Sequence, residues 1–110
     1  KEETEEKVRK EASAKAQQII SDAEERADQI MAEARKAAEK LRQEADKRAN
    51  QIEKEGEGKN LIVRKAAEKS AEKIRQEADK KASQLIEEAR SQADSVIQNA
   101  RERAQQIENK

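Results

Sequence analysis

The sequence predicts an all-α fold in which two long helices pack antiparallel as a coiled-coil hairpin. Charged residues make up 45% of the 110 residues and proline is absent, a composition typical of long solvated helices. Apolar residues recur with a period of eleven along nearly the whole chain. Both glycines lie close to the midpoint of the chain, where a reversal would place one half against the other.

The first helix is expected at about residues 2–55. Its apolar residues recur at spacings of four, four and three, so one large aliphatic residue follows every two small ones. Eleven residues in three turns correspond to about 3.67 residues per turn, which favours a nearly straight or weakly right-handed supercoil. The large residues predicted to form the helix–helix seam are Val8, Ile19, Ile30, Leu41, Ile52, Val63, Ile74, Leu85, Val96 and Ile107.

The turn is predicted at about residues 56–60. Gly56 or Gly58 suits the left-handed backbone conformation that ends many helices, and Asn60 is a preferred N-cap for the following helix. The second helix is then expected at about residues 61–108. The whole chain, residues 1–110, would form a single coiled-coil domain.

The alternative is one continuous helix of roughly 165 Å in a right-handed coiled-coil oligomer. It is favoured by the phase of the repeat, because Val63 follows Ile52 by eleven residues. The hairpin is favoured by the cost of about 1 kcal/mol for each glycine within a helix. It is also favoured by a mirror symmetry, since folding back at the glycines pairs large residues such as Leu41 with Ile74.

Two features of the repeat bear on packing. The segment from Ala38 to Lys47 returns thirty-three residues later, from Ala71 to Lys80, with one conservative change. Extra aliphatic residues also widen the stripe in the half of each helix that lies far from the turn. These candidate oligomer-edge residues are Ile20, Met31, Ile86 and Ile97. We expect them to join two hairpins into a four-helix assembly; the alternative is that they are wider core positions of one hairpin.

The residue inventory argues against catalysis. The chain has no His, Cys, Tyr or Trp, so the usual bases, nucleophiles and soft metal ligands are missing. We therefore expect no enzyme activity, no catalytic residue, no cofactor and no metal site. Twenty-five acids balance twenty-five bases, which removes the bulk attraction to nucleic acid and to anionic membranes. Membrane-surface binding is also disfavoured because the apolar stripe is mostly alanine.

Apolar runs are at most three residues long, so the sequence predicts no transmembrane segment and no signal peptide. The compartment is not predicted. The first residue is Lys1, which fits a processed exported protein or a fragment of a longer one.

One stretch carries a resemblance to a known family. The segment from Ala89 to Ala104 spaces its alanines by four and seven residues, with Val96-Ile97 between them. In this it resembles the right-handed coiled-coil stalks of rotary ATPases, the b-type and related peripheral-stalk subunits. The resemblance extends over nearly the whole chain as a period, and the central glycines depart from it. It implies a rigid stator that links two parts of a machine.

The sequence thus predicts a non-enzymatic structural, scaffold or oligomerisation coiled coil. A stator element of the peripheral-stalk type is one alternative, and an amphipathic module that binds lipid or a partner protein is another. We expect a homo-oligomer, with a dimer of hairpins favoured. A partner protein bound through helix packing is a further expectation.

Overall fold

A computed structural model describes residues 2–109 of the chain. Helix α1 spans Glu2–Gly56 and helix α2 spans Leu61–Glu108. The two helices pack against each other as a hairpin, and the described residues contain no strand. The prediction of an all-α hairpin is therefore confirmed in preference to the continuous helix, and the predicted helix bounds agree to within one residue.

The chain clusters into two compact units, which we describe separately. The terminal unit comprises the described residues up to Ala32 and from Ala89 onwards. The turn unit comprises Glu33–Glu88, including the turn. Each unit contains a stretch of α1 and a stretch of α2. The single domain predicted over residues 1–110 stays a prediction.

Helix α1 is formed by residues with high helix propensity and has no proline or glycine before Gly56. Glu3, Glu5 and Glu6 lie near its N-terminus and Lys54 lies in its last turn. The acids oppose the partial positive charge at the N-terminus and stabilise that end, whereas Lys54 is offset at the C-terminus by its neighbours Glu53 and Glu55. Within the described residues, neither helix has a stretch that is both long enough and apolar enough to cross a bilayer.

The turn closes through backbone hydrogen bonds. The amide of Glu57 donates to the carbonyl of Lys54 at 3.2 Å, and the amide of Lys59 donates to the carbonyl of Gly56 at 3.3 Å. Gly58 has a φ of 77°, in the left-handed region that favours glycine. The predicted glycine termination of α1 is therefore present, with Gly58 in the left-handed position.

Helix α2 begins with the predicted cap. The Asn60 side-chain oxygen Oδ1 accepts a hydrogen bond from the amide of Val63 at 3.0 Å. The Asn60 carbonyl accepts the first helical hydrogen bond, from the amide of Arg64 at 3.0 Å. One side chain thus satisfies a backbone donor that α2 cannot satisfy internally, which fixes its start next to the turn.

We expect Gly58→Ala to lower the free energy of unfolding by about 1–2 kcal/mol, the cost of a left-handed conformation for a residue with a Cβ atom. No atom lies within 4 Å of the added Cβ, so the effect would come from backbone strain alone. Gly58→Asn is the matched control and should cost less, because asparagine tolerates this conformation. Urea unfolding followed by circular dichroism measures both, and equal stabilities would contradict the strain argument.

Candidate helix-packing interface

Alanine forms the buried contact between the helices. Among the described residues, every buried hydrophobic side chain is an alanine, and no large side chain is fully buried. Ala38, Ala49, Ala71 and Ala82 are 0% exposed. Alanine side chains allow two helix backbones to approach toward the lower end of the usual range of about 8–10 Å. The buried alanines are Ala16, Ala23, Ala27, Ala38, Ala49, Ala71, Ala78, Ala82, Ala89, Ala93, Ala100 and Ala104.

The large aliphatic residues flank this alanine seam. Eight of the ten predicted seam residues are half-buried, namely Ile19, Ile30, Leu41, Ile52, Ile74, Leu85, Val96 and Ile107. Each therefore covers the edge of the seam and keeps part of its side chain in water. The fully buried positions between the helices are taken by alanine rather than by the large residues, because close backbones leave room there only for methyl groups.

Two predicted seam residues need a correction. Val8 is 58% exposed and Val63 is 43% exposed, so neither is part of a buried layer. Val63 lies in the first turn of α2, beside the chain reversal, where α1 is already ending. Val8 lies near the open end of the terminal unit, where it lines a shallow cleft of about 710 Å³ with Ile107. Both residues lie at ends of the seam, where less of the opposite helix is available to cover them.

Some large residues line shared clefts, and one of these clefts contains a pair that the fold-back predicts. In the turn unit, the predicted pair Leu41 and Ile74 lines one open cleft, together with Ala45 and Ala78. In the terminal unit, Ile30 and Val96 line another. These clefts are open to solvent and are lined by charged and polar side chains as well as by the aliphatic ones.

Gly56 has a steric role in addition to its place at the turn. A Cβ atom added to Gly56 would lie 2.8 Å from the Cβ of Ala67, closer than two side chains can approach. The backbone of α2 is also near, with the Cα of Arg64 at 3.8 Å. Gly56 occupies a repeat position that holds alanine elsewhere. Its missing methyl group therefore lets the helices approach most closely beside the turn.

A polar cluster on one edge of the turn unit is centred on Arg75. Its Nε donates to Asp46 at 3.0 Å, its Nη1 to Glu53 at 2.5 Å and its Nη2 to Asn50 at 2.6 Å. One α2 side chain thus contacts three residues that span two turns of α1. The hydrogen bonds that Arg75 donates to Glu53 and, next, to Asp46 raise the pKa of Arg75 above its ordinary value. Because the folded-state pKa is the higher one, this stabilisation is complete at neutral pH and is lost only under strongly alkaline conditions.

A second ion pair mirrors the first. The Nε of Arg42 donates to Asp79 at 3.3 Å. Arg42 and Asp46 occupy the positions in their segment that Arg75 and Asp79 occupy in the duplicated one. Antiparallel packing of two copies of one segment makes such contacts reciprocal, since each arginine meets the aspartate of the other copy. Neither ion pair was predicted from the sequence, although the duplicated segment was the signal that could have indicated them.

The same edge differs between the two units. In the turn unit, Arg42, Glu53 and Arg75 occupy the repeat position next to the large aliphatic residue, and they make the ion pairs described above. In the terminal unit three of the five equivalent positions are aliphatic, and the other two are Arg9 and Glu108 near the chain ends. The candidate oligomer-edge residues Ile20, Met31 and Ile97 lie there, and Ile86 lies in the turn unit; all four are half-buried.

Among the described residues, no polar or charged side chain is buried, and no group of three or more carboxylates is placed to hold a metal ion. Searches with family models, among curated proteins and among solved structures found no match to this chain. The helix-packing surfaces are therefore the features from which a function can be argued.

We expect Ala38→Leu to destabilise the hairpin by about 1–3 kcal/mol, because the larger side chain would force the helices apart at a close-packed position. Ala37→Leu is the matched control, since Ala37 is the adjacent residue and is exposed. It should change stability by less than about 0.5 kcal/mol. Urea unfolding at one fixed protein concentration measures both variants, and an equal loss in the two would contradict the alanine seam.

Arg75→Gln should lower the midpoint of urea unfolding, because it removes three contacts between the helices at once. Arg64→Gln is the control at the equivalent repeat position, where no ion pair forms among the described residues. The difference between the two variants should shrink in high salt, as expected for partly exposed charges. A midpoint that moves equally for Arg75→Gln and Arg64→Gln would show that the cluster does not stabilise the hairpin.

Proposed function

We propose that this protein is a structural element, a helical hairpin that self-associates through its terminal unit and acts as a spacer or scaffold. The single observation that carries the proposal is the aliphatic edge of that unit. Ile20, Met31 and Ile97 lie on it, each only half-buried within the hairpin. A second hairpin that covers this edge would remove their exposed surface from water.

Limited burial in one hairpin supports association. The seam buries methyl groups, and no large side chain is fully buried in the described residues. Two helices that bury so little apolar surface commonly need further burial to offset the loss of chain entropy. Complete burial of a large aliphatic side chain contributes about 1.5–3 kcal/mol, so covering a few half-buried ones is a substantial gain for a small fold.

The distribution of charge supports the terminal unit as the site of contact. In the turn unit, the edge position carries arginine and glutamate that already contact each other across the hairpin. A second copy packed on that edge would have to displace or bury these ion pairs, which is costly. The terminal unit replaces them with Ile20, Met31 and Ile97, which lose nothing by being covered. The edge thus favours association at one end of the hairpin.

A structural role also agrees with the chemistry of the surface. Without buried polar groups among the described residues, nothing supplies the low-dielectric surroundings that tune a catalytic side chain. The reversal at Gly58 favours a folded-back scaffold over a stator built like the peripheral stalks, whose repeat this chain resembles. The proposed function is therefore architectural, with the hairpin as the unit that is assembled.

Ile20→Gln combined with Ile97→Gln should convert the associated protein to a monomer, because glutamine cannot be buried in an apolar contact without loss of its hydration. Sedimentation equilibrium over a range of protein concentrations measures the mass. Val8→Gln is the control: it also removes an aliphatic side chain from the terminal unit, but one that is not part of the candidate oligomer edge. A wild-type chain that stays monomeric, or a double variant with unchanged mass, would contradict the proposal.

A further inference from the structure

Three consecutive aliphatic residues are exposed at the tip of the hairpin. Leu61 is 57% exposed, Ile62 is 81% exposed and Val63 is 43% exposed. They form the first turn of α2, directly after Asn60. They account for three of the four large hydrophobic residues that are exposed in the described chain, so exposed aliphatic surface is concentrated here. We call Leu61, Ile62 and Val63 the tip patch.

Two of these residues depart from the repeat. The residues at eleven-residue intervals from Leu61, which run from Glu6 to Gln105, are all polar. Those at the same intervals from Ile62, which run from Lys7 to Gln106, are polar as well. Only beside the turn does the chain place aliphatic residues at these two positions, which elsewhere face solvent.

The hairpin itself does not need these side chains. The turn is closed by backbone hydrogen bonds, by the left-handed Gly58 and by the Asn60 cap. Beside the turn the helices pack through Gly56, where an added Cβ would lie 2.8 Å from the Cβ of Ala67. Exposed Leu61 and Ile62 contribute to neither, so a requirement other than folding accounts for them.

Basic residues surround the tip patch. Lys59, Arg64 and Lys65 are exposed and flank it, and the nine residues from Lys59 to Ala67 include no acid. Ala66 also makes this region less negative than the rest of the chain. Seven of the nine residues at eleven-residue intervals from it are acidic, and Ala66 carries no charge. The acids Glu55 and Glu57 lie before the reversal, and Lys54 to Lys65 still hold four bases against two acids. The occupant of the patch should therefore be anionic as well as apolar.

The geometry of the patch indicates which anionic surface fits. Successive residues of a helix point about 100° apart, so three in a row extend over about 200° of the helix circumference. A partner helix or groove contacts one side of a helix, through residues three and four apart. The interfacial region of a lipid bilayer is fluid, so it can surround all sides of the tip patch.

We propose that the hairpin tip docks end-on to an anionic lipid bilayer. The tip patch inserts into the interfacial region, and Lys59, Arg64 and Lys65 contact the lipid phosphates. The alanine stripe disfavours membrane binding only for a helix that lies flat in the interface. End-on docking does not require that orientation. The proposal depends on the turn unit alone, so it does not rest on self-association through the terminal unit.

Flotation with lipid vesicles tests the proposal. We expect the wild-type chain to bind vesicles that contain about 30% phosphatidylserine at least tenfold more strongly than vesicles of phosphatidylcholine alone. Leu61→Gln combined with Ile62→Gln restores the polar character of the other repeats and should weaken binding at least tenfold. Val8→Gln is the matched control, because Val8 is as exposed as Leu61 but lies in the terminal unit, and its binding should stay within twofold.

A fluorescent reporter separates insertion from adsorption by charge. The chain has no tryptophan, so Ile62→Trp introduces a single fluorophore into the tip patch. Its emission should shift to the blue with phosphatidylserine vesicles, whereas Gln98→Trp in the terminal unit should not shift. Circular dichroism confirms that each variant remains helical.

Three results would overturn the proposal. In the first, the wild-type chain does not bind phosphatidylserine vesicles. In the second, the variant with both Leu61→Gln and Ile62→Gln binds as strongly as the wild type. In the third, the emission of Ile62→Trp does not change when the vesicles are added. Stoichiometric binding of the tip to an acidic protein, without vesicle binding, would also overturn it and assign the patch to a protein partner. Loss of self-association in the Ile20 and Ile97 double variant would affect none of these measurements.

Discussion

The close approach of two helix backbones at an alanine seam is the constraint on which the rest of this hairpin depends. Only methyl groups fit between the helices at residues such as Ala38 and Ala82, so every larger apolar side chain is displaced to an edge. Beside the turn even a methyl group is too large, and Gly56 takes the place of alanine. Because the backbones are close, the core can consist of alanine side chains alone. The larger aliphatic residues beside this core therefore stay partly in water.

Edges left open by the thin core are closed in two ways. In the turn unit, Arg75 and Arg42 extend from one helix to acids on the other, and their aliphatic stems cover apolar surface while their charged groups stay hydrated. In the terminal unit the same edge carries Ile20, Met31 and Ile97. Ion pairs of this kind resist burial by another copy, whereas aliphatic residues favour it. The hairpin thus separates the task of fixing its own register from the proposed task of association.

Periodicity and turn chemistry carried most of the sequence prediction. The eleven-residue repeat was sufficient to locate both helices, and the glycines with Asn60 located the turn to within a residue, because these depend on local backbone preferences. The period did not predict that alanines would be fully buried while the large aliphatic residues would be only half-buried. Period shows which side of a helix faces its partner, but the distance between backbones decides which side chains fit there. The contacts of Arg75 depend on the register of two segments distant in sequence, which only the duplication could have indicated.

The eleven-residue repeats of this chain share one pattern of apolar residues, because each repeat packs in the same way. A residue that departs from this pattern therefore indicates a requirement other than helix packing. Gly58 and Asn60 depart because the chain must reverse and restart a helix. The edge position varies along the chain, and Arg75 uses it for hydrogen bonds that fix the register of the hairpin. Leu61 and Ile62 depart without serving the seam, the turn or the edge, and they increase the apolar surface exposed to water. Exposed apolar surface is unfavourable for an isolated hairpin, and this cost is the reason for proposing that the tip docks to a surface that removes Leu61 and Ile62 from water.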